Sequence, residues 1–323
     1  MELPIIDDSQ VTSLTTWPVL IGAISDAFRR GGESPVRNHH AIPGNDREDI
    51  TLLQMPAWDR DGEFGIKLAT IAPSNAALGY PTLHGVYVLF SGATGIPEAI
   101  LDAGALTARR TAAASALASR CLSRRDARTL LIIGTGRVAR QLIGAHCSVR
   151  PIEEVSIWGR NAAHAEDVAD EASQAIGVRC VVATDVETGA TGADIISSAD
   201  PSESPLLRAD WVAPGTHIDL VGAYKPTMCE ADVDVVGTAD HVFVDTIEGA
   251  ESEAGDLIQA VQAGTFSFDA IAGDMYRMSL GAASLRNSPE EITLFKSVGA
   301  ALEDLAAAQL CVRQLKAQQN WQS

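Results

Sequence analysis

Cationic side chains are scarce in this chain of 323 residues: 24 lysines and arginines stand against 42 aspartates and glutamates, a formal net charge of −18. A surface of that sign repels polyanions, which excludes nucleic acid and anionic membrane as expected partners. It does not exclude a small anionic substrate, which a few local arginines can hold inside an acidic protein. Cysteine is sparse too. The five residues Cys121, Cys147, Cys180, Cys229 and Cys311 form no CxxC pair and no metal-ligand spacing. An odd, dispersed set is not a disulfide framework and suits a reducing, cytoplasmic setting. The histidines form no metal constellation, and no Ser-His-Asp order can be argued, so no metal is expected. No apolar run reaches the roughly 18 residues a membrane span needs. The opening MELPIIDDSQ has neither a basic nor a hydrophobic signal region, so no secretory signal is expected. Internal repeats and low-complexity tracts are absent.

Apolar residues are plentiful at 46%, enough for full-sized cores, and the length suggests about two domains. The most informative stretch is Thr129 to Ala139, TLLIIGTGRVA. It reads as a buried strand entering a helix through glycines. Gly134 permits the tight turn, Gly136 lets the backbone approach a pyrophosphate, and Ala139 lets the helix pack closely on the sheet. The helix N-terminus adds free N–H donors and a partial positive charge. Val138, Leu142, Ile143 and Ala145 continue the helical pattern, so a dinucleotide site is expected here.

The next strand, Val155 to Trp158, ends at Gly159-Arg160-Asn161 with no acid to hold a ribose 2′-OH. Arg160 is placed for a 2′-phosphate, which favours NADP(H) and keeps NAD(H) possible. On the alternative reading Arg160 is a solvated loop cation and Asn161 caps the helix from Ala162. Further strands are expected at Val178 to Ala183, Asp194 to Ser198, His217 to Val221 and Val242 to Asp245. This alternation with helices predicts a Rossmann-type doubly wound parallel sheet over residues 119–289.

The first 118 residues read differently. A helix from Val19 to Arg30 precedes strands at Leu52 to Met55, Gly65 to Ile71 and Gly85 to Phe90. Turns at Pro35, Pro43-Gly44, Asp61-Gly62, Pro73 and Pro81 separate them, giving an α+β domain. The tail from Glu290 to Leu315 is expected to be an amphipathic helix, started by Ser288-Pro289-Glu290-Glu291. Within this part Lys67 alternates onto one strand face with Gly65 and Ala69, small residues that leave space around it; a solvated strand face is the other reading. Arg37 opens the polar cluster Arg37-Asn38-His39-His40, read as a loop. Arg109 and Arg110 enter a small-residue helix, AAASALAS, about 100° apart, so that one faces a pocket and the other solvent.

Together these segments resemble the ornithine cyclodeaminase/μ-crystallin family. The resemblance rests on KLATIAPSNAALGYPTLHGVYVLF, SGATGIPEAILDAGALTARRTAAASALAS, GTGRVA, HIDLVGAYKPTMCE, VFVDT and ITLFKSVGAALEDLAAA, in the family order over nearly the whole chain. It implies a dinucleotide-binding domain (119–289), a substrate and dimerisation domain (1–118 with 290–323), and a homodimer. Carried over by position, it makes Arg37, Lys67 and Arg110 substrate contacts, with Val298 near the substrate. It makes Thr82, Gly134, Gly136, Arg137, Val138, Ser198, Val221, Gly222, Ala223, Tyr224 and Ser297 cofactor contacts, Arg110 counting among them too.

The chain departs from true cyclodeaminases in two places. Tyr224 stands where they carry an aspartate that handles the substrate amine, and Met228 replaces a cofactor lysine. A tyrosine, with a pKa near 10, is a poor base at neutral pH. With Arg37 to His40 and MPAW (Met55 to Trp58), these changes resemble the branch that reduces cyclic imines. The implied activity is NAD(P)H-dependent reduction of Δ1-pyrroline-2-carboxylate, with Δ1-piperideine-2-carboxylate as a second candidate, to L-proline or L-pipecolate. Lys67 would be the proton donor, with Tyr224 second. The alternatives are an ornithine cyclodeaminase, an open-chain amino-acid dehydrogenase and a non-catalytic NADPH-binding protein.

Overall fold

The structure is a computed structural model that describes residues 3–44, 48–60, 62–281 and 285–321. Asp61 of the expected Asp61-Gly62 turn lies outside the described residues. The chain divides into two compact units, 1–110 with 300–323 and 111–299.

In the first unit, β1 (Ile5–Ile6), α1 (Asp8–Leu14) and α2 (Trp17–Arg30) lead into β2 (Asn38–Ile42), β3 (Ile50–Trp58), β4 (Phe64–Ile71), β5 (Leu83–Phe90) and β6 (Pro97–Asp102). These strands form one sheet in the order β1-β6-β5-β4-β3-β2, antiparallel except for β1 on β6. Alternation is clean. Leu53, Met55 and Ala57, Gly65, Lys67 and Ala69, and Tyr87 and Leu89 are buried, while their neighbours in sequence are not. The polar cluster expected to be a loop is strand β2 from Asn38 onward. It pairs residue by residue with β3, and the edge position lets histidines and an asparagine face water.

Helix α3 (Ala103–Leu122) carries the boundary between the units, and in the second unit it is followed by β7 (Thr129–Ile133), α4 (Arg137–Cys147), β8 (Glu154–Trp158), α5 (Ala162–Ile176), β9 (Arg179–Val182), α6 (Val186–Ala190) and β10 (Ile195–Ser198). Then come β11 (His217–Leu220), α7 (Val233–Thr238), β12 (His241–Val244), α8 (Ile247–Glu253), α9 (Gly255–Ala263), β13 (Ile271–Gly273), α10 (Met275–Ser279) and β14 (Thr293–Lys296). All eight strands are parallel, in the order β13-β12-β14-β11-β10-β7-β8-β9. Leu130 to Ile133 are at most 1% exposed, as expected of a parallel strand covered on both faces. The strand order reverses at β7, so the crevice beyond the carboxyl ends of β7 and β10 is where such sheets take ligands.

Helix α11 (Ala301–Trp321) returns to the first unit and packs on α1, α2, β3, β4 and β5. Two expectations are corrected here. The stretch 290–299 belongs to the second unit, because β14 sits in the middle of the parallel sheet between β11 and β12. Accordingly the boundaries at 118/119 and 289/290 shift to 110/111 and 299/300. Nor is α11 amphipathic: residues 301–312 are buried on every side, Glu303, Asp304 and Gln309 included. Among the described residues no helix is long and apolar enough to cross a membrane.

Candidate functional site

In the first unit a charged cluster lies between β4, α3 and α11. Lys67, on the buried face of β4, is 2% exposed; its Nζ is 2.8 Å from Asp304 and donates to Thr107 Oγ1 at 3.2 Å. Arg110, 3% exposed, donates from Nε to Asp304 at 2.9 Å and from Nη1 to Glu303 at 2.6 Å. Burial lowers the Lys67 ammonium to about 8; Asp304 opposes this, while Arg110 and Arg37 add to it. Burial works against the Arg110 charge as well, but Asp304 and Glu303 outweigh it and raise the guanidinium. Arg37, half-buried just before β2, is thus near enough to act on Lys67. The three cations predicted from the sequence therefore come together in one unit.

The details differ from expectation. The space beside Gly65 is filled by the ring of Tyr87, which pairs across from Lys67; a Cβ on Gly65 would lie 2.3 Å from the Tyr87 hydroxyl. Neither arginine of the pair on α3 faces solvent. Arg109 is 7% exposed, donates to Thr15 Oγ1 at 3.1 Å, and its guanidinium carbon sits 3.5 Å from the Trp17 ring centre, so it anchors the α1–α2 corner. Tyr87, Thr107, Glu303 and Asp304 were missed. The visible signal for the two acids was their place inside the apolar run ALEDLAAA.

In the second unit the predicted cofactor residues gather along the edge formed by the carboxyl ends of the parallel strands. Gly134 follows β7 with φ +120°, which favours glycine, and a Cβ there would make a tight contact, 3.1 Å from the Ala199 carbonyl oxygen. Gly136 is the N-cap of α4, with no side chain capping it, and a Cβ on it would meet nothing within 4 Å. Arg137 and Val138 open α4. This edge fits a pyrophosphate: a glycine turn, a close approach and a helix N-terminus without a side-chain cap.

Arg160, after β8, is mostly exposed and bonded to Asp200 Oδ1 at 3.1 Å, while Asn161 caps α5 through Ala163 N. Ser198 ends β10, and Val221 to Tyr224 follow β11. Ser297 and Val298 follow β14, pinned by Asp245: its Oδ2 accepts from Ser297 Oγ (3.1 Å), Val298 N (2.8 Å) and Gly299 N (2.5 Å). Thr82 lies in the first unit, exposed, just before β5. The loop residue Tyr224 has the Lys225 ammonium 5.8 Å from its ring centre. Among the described residues no group of three or more His, Cys, Asp or Glu could hold a metal ion.

Sheet and glycine turn define the class: an α/β protein with a doubly wound dinucleotide-binding-type unit and a separate sheet-and-helix unit. The chain belongs to the ornithine cyclodeaminase/mu-crystallin family, whose sequence profile matches residues 4–319. It is 35% identical over 316 residues to the Δ1-pyrroline-2-carboxylate reductase of Colwellia psychrerythraea, covering 97% of this chain and 99% of that one. The structure of the Thermococcus litoralis Δ1-pyrroline-2-carboxylate reductase in complex with NADH and L-proline superposes with a TM-score of 0.92, at 28% identity, covering 98% of each chain. An archaeal alanine dehydrogenase dimer with bound NAD gives 0.88, at 28% identity, covering 99% of this chain and 98% of that one.

Replacing Asp304 by Asn removes the carboxylate shared by Lys67 and Arg110 and leaves Lys67 buried without an anion. The expected cost is about 3–5 kcal/mol of stability, read by urea denaturation, because breaking one side of a buried pair strands the other.

Proposed function

We propose that the chain reduces a cyclic imino acid, Δ1-pyrroline-2-carboxylate and by extension its six-membered homologue, to the corresponding L-amino acid with a reduced nicotinamide cofactor. The observation that carries the reading is the Lys67 ammonium, held near pKa 8 among Arg37, Arg110 and two buried acids. An imine accepts hydride well only when its nitrogen is protonated. An acid with a pKa just above neutrality is charged at pH 7 and still gives up its proton readily. In this reading Lys67 donates that proton to the ring nitrogen, and Arg37 with Arg110 holds the carboxylate. Two of Arg110's guanidinium nitrogens, Nε and Nη1, bond Asp304 and Glu303, which fixes the orientation of the group. The bound nicotinamide supplies the hydride for C2. Gly134, Gly136, Arg137, Val138, Ser198, Val221 to Tyr224 and Ser297 would hold that cofactor, together with Thr82 and Arg110, and Val298 would lie near the substrate.

Tyr224 supports reduction over cyclodeamination, because a phenol cannot replace a carboxylate base at neutral pH. Arg160 supports NADP(H) by its place after β8, where a 2′-phosphate would lie and would displace Asp200 from its exposed guanidinium.

A homodimer is part of the same proposal. The face of the first unit's sheet opposite α11 is apolar and open. Ile5 is 73% exposed, and Ile42, Val86, Phe64 and Trp58 range from 44% to 36%; Phe64 stacks on Phe90 with ring centres 4.9 Å apart. A continuous apolar sheet face of this kind marks an association surface, and a second copy of the same face is its natural complement.

Purified protein should oxidise NADPH with either imine and leave it unchanged with ornithine or with a keto acid plus ammonia; no oxidation with either imine refutes the reading. Lys67→Met should lower kcat/KM at least about 100-fold. It should also abolish the wild-type decline in rate as pH rises through 8, where Lys67 loses its proton. Arg160→Ala should lower kcat/KM for NADPH about tenfold and leave that for NADH unchanged, charge-assisted phosphate contacts being worth about 1.5–3 kcal/mol. Val86→Lys should convert a dimer to a monomer on size-exclusion chromatography with light scattering.

A further inference from the structure

The Glu230 side chain is fully buried, yet its two oxygens collect donors from two separate loops. Oε1 accepts from Ser198 Oγ at 2.6 Å and from Asp200 N at 3.1 Å, both at the exit of β10. Oε2 accepts from Gly222 N at 2.6 Å and Ala223 N at 3.0 Å, both at the exit of β11. The two loops touch: a Cβ on Gly222 would lie 2.3 Å from the Asp200 carbonyl oxygen. Behind Glu230 stand Lys296 Nζ, 3.5 Å from Oε2, and Asp256, which pairs with Lys296 at 2.8 Å. Asp256 also accepts from the backbone N–H groups of Glu230 and Ala231, so Glu230 itself is held in place.

From this geometry we infer that Glu230 is a positioning residue for the cofactor, a single carboxylate that fixes the β10 and β11 exit loops in the arrangement that receives the dinucleotide. This inference rests on the proposal that those loops bind a nicotinamide cofactor. Glu230 acts through Ser198, Gly222 and Ala223. Through Asp200 it also reaches Arg160, whose guanidinium Asp200 holds. No shorter or singly accepting side chain can serve both loops. Glutamine has one acceptor oxygen, so one loop would meet an amide N–H where it now finds an acceptor, leaving buried donors unpaired.

Protonation has a similar effect. Burial and the neighbouring Asp256 lift the Glu230 carboxyl to about 7, against the pull of Lys296. The groups facing it are Lys296 from β14, Asp256 from α9, Ser198 and Asp200 from the β10 exit, the Gly222 and Ala223 amides, and Cys229 beside it in sequence. As pH falls through 7 the carboxylate gains a proton, and one acceptor becomes a donor.

The test is the dissociation constant of the reduced nicotinamide that the wild type binds more tightly, followed by its fluorescence between pH 6 and 8.5. Glu230→Gln keeps the Lys296–Asp256 pair, so Lys296 retains a counter-charge. It should weaken cofactor binding about ten- to a hundredfold at pH 8. It should also raise the KM for cofactor while kcat at saturating cofactor stays within about threefold. Its affinity should lose the weakening that the wild type shows below pH 7. Glu230→Asp keeps both oxygens on a shorter arm and should fall between the two, with the pH dependence retained. If Glu230→Gln fails to fold by circular dichroism, Glu230→Asp and the wild-type pH profile carry the test. Wild-type affinity in either folded variant, or a wild-type affinity that is flat across pH 7, overturns the inference. A wild type that binds no nicotinamide instead overturns the cofactor reading, and the two failures are therefore distinct.

Discussion

Buried charge has to be neutralised, and in the first unit that requirement ties the two ends of the chain together. Lys67 on β4 and Arg110 on α3 are met by Glu303 and Asp304 on α11, and Arg110 and Asp304 are 194 residues apart in sequence. Two cations against two acids leave no net charge inside. Either side alone would cost several kcal/mol in a low-dielectric interior. The returning helix is therefore a condition for β4 and α3 to carry inward-facing cations at all. It also bonds to the sheet through Gln309, which donates to Asp59 and Glu63. A helix buried on all sides over residues 301–312 needs these partners for its polar groups.

The second unit uses acids in a complementary way. Asp245, Glu230 and Asp219 are all buried, and each gathers several donors at a strand. Asp219 on β11 accepts from Ser115 and Ser197 and lies 3.3 Å from His146 Nε2. Asp245 and Glu230 collect mainly backbone N–H groups of segments with no regular structure. Those segments, 198–200, 222–223 and 297–299, contain four of the proposed cofactor contacts, Ser198, Gly222, Ala223 and Ser297. A loop whose amides are bonded to a buried carboxylate loses little further entropy on meeting a ligand, which is how preorganisation raises affinity.

What was legible in the sequence follows from these forces. The parallel strands of the second unit were visible because burial on both faces produces unbroken apolar runs such as LLII, and the glycine turn because its backbone conformation at Gly134 favours glycine. Lys67 stood out as one cation in an apolar strand. Elements whose character depends on distant partners were misread. Strand β14, TLFK, joins directly to a helical pattern, and its pairing with β11 and β12 cannot be seen locally. The β2 edge looks like a polar loop because one neighbour supplies all its pairing. The acids of α11 lie in a tail that reads as one amphipathic helix, although they are buried and their counter-charges lie far away in sequence. The same holds for Glu230: Gly222 and Ala223 share the HIDLVGAYKPTMCE segment with it, but its other partners come from β10, β14 and α9.

The chemistry that these arrangements can support is set by how many protons must move. Reduction of a cyclic imine needs one proton at nitrogen and one hydride at carbon, and a single acid poised near neutrality meets the first need. In the proposed reading, release of ammonia and ring closure would need a group that takes and returns protons at the amine, and Tyr224 offers a phenol, whose ordinary pKa of about 10 makes it a poor one at neutral pH. Lys67 alone cannot fill both parts. Asp304, 2.8 Å away, stabilises its ammonium form, and a lysine held charged at pH 7 gives protons more readily than it takes them. In the proposed reading, the buried pair that neutralises Lys67 in the first unit also suits addition to a double bond better than elimination of an amine.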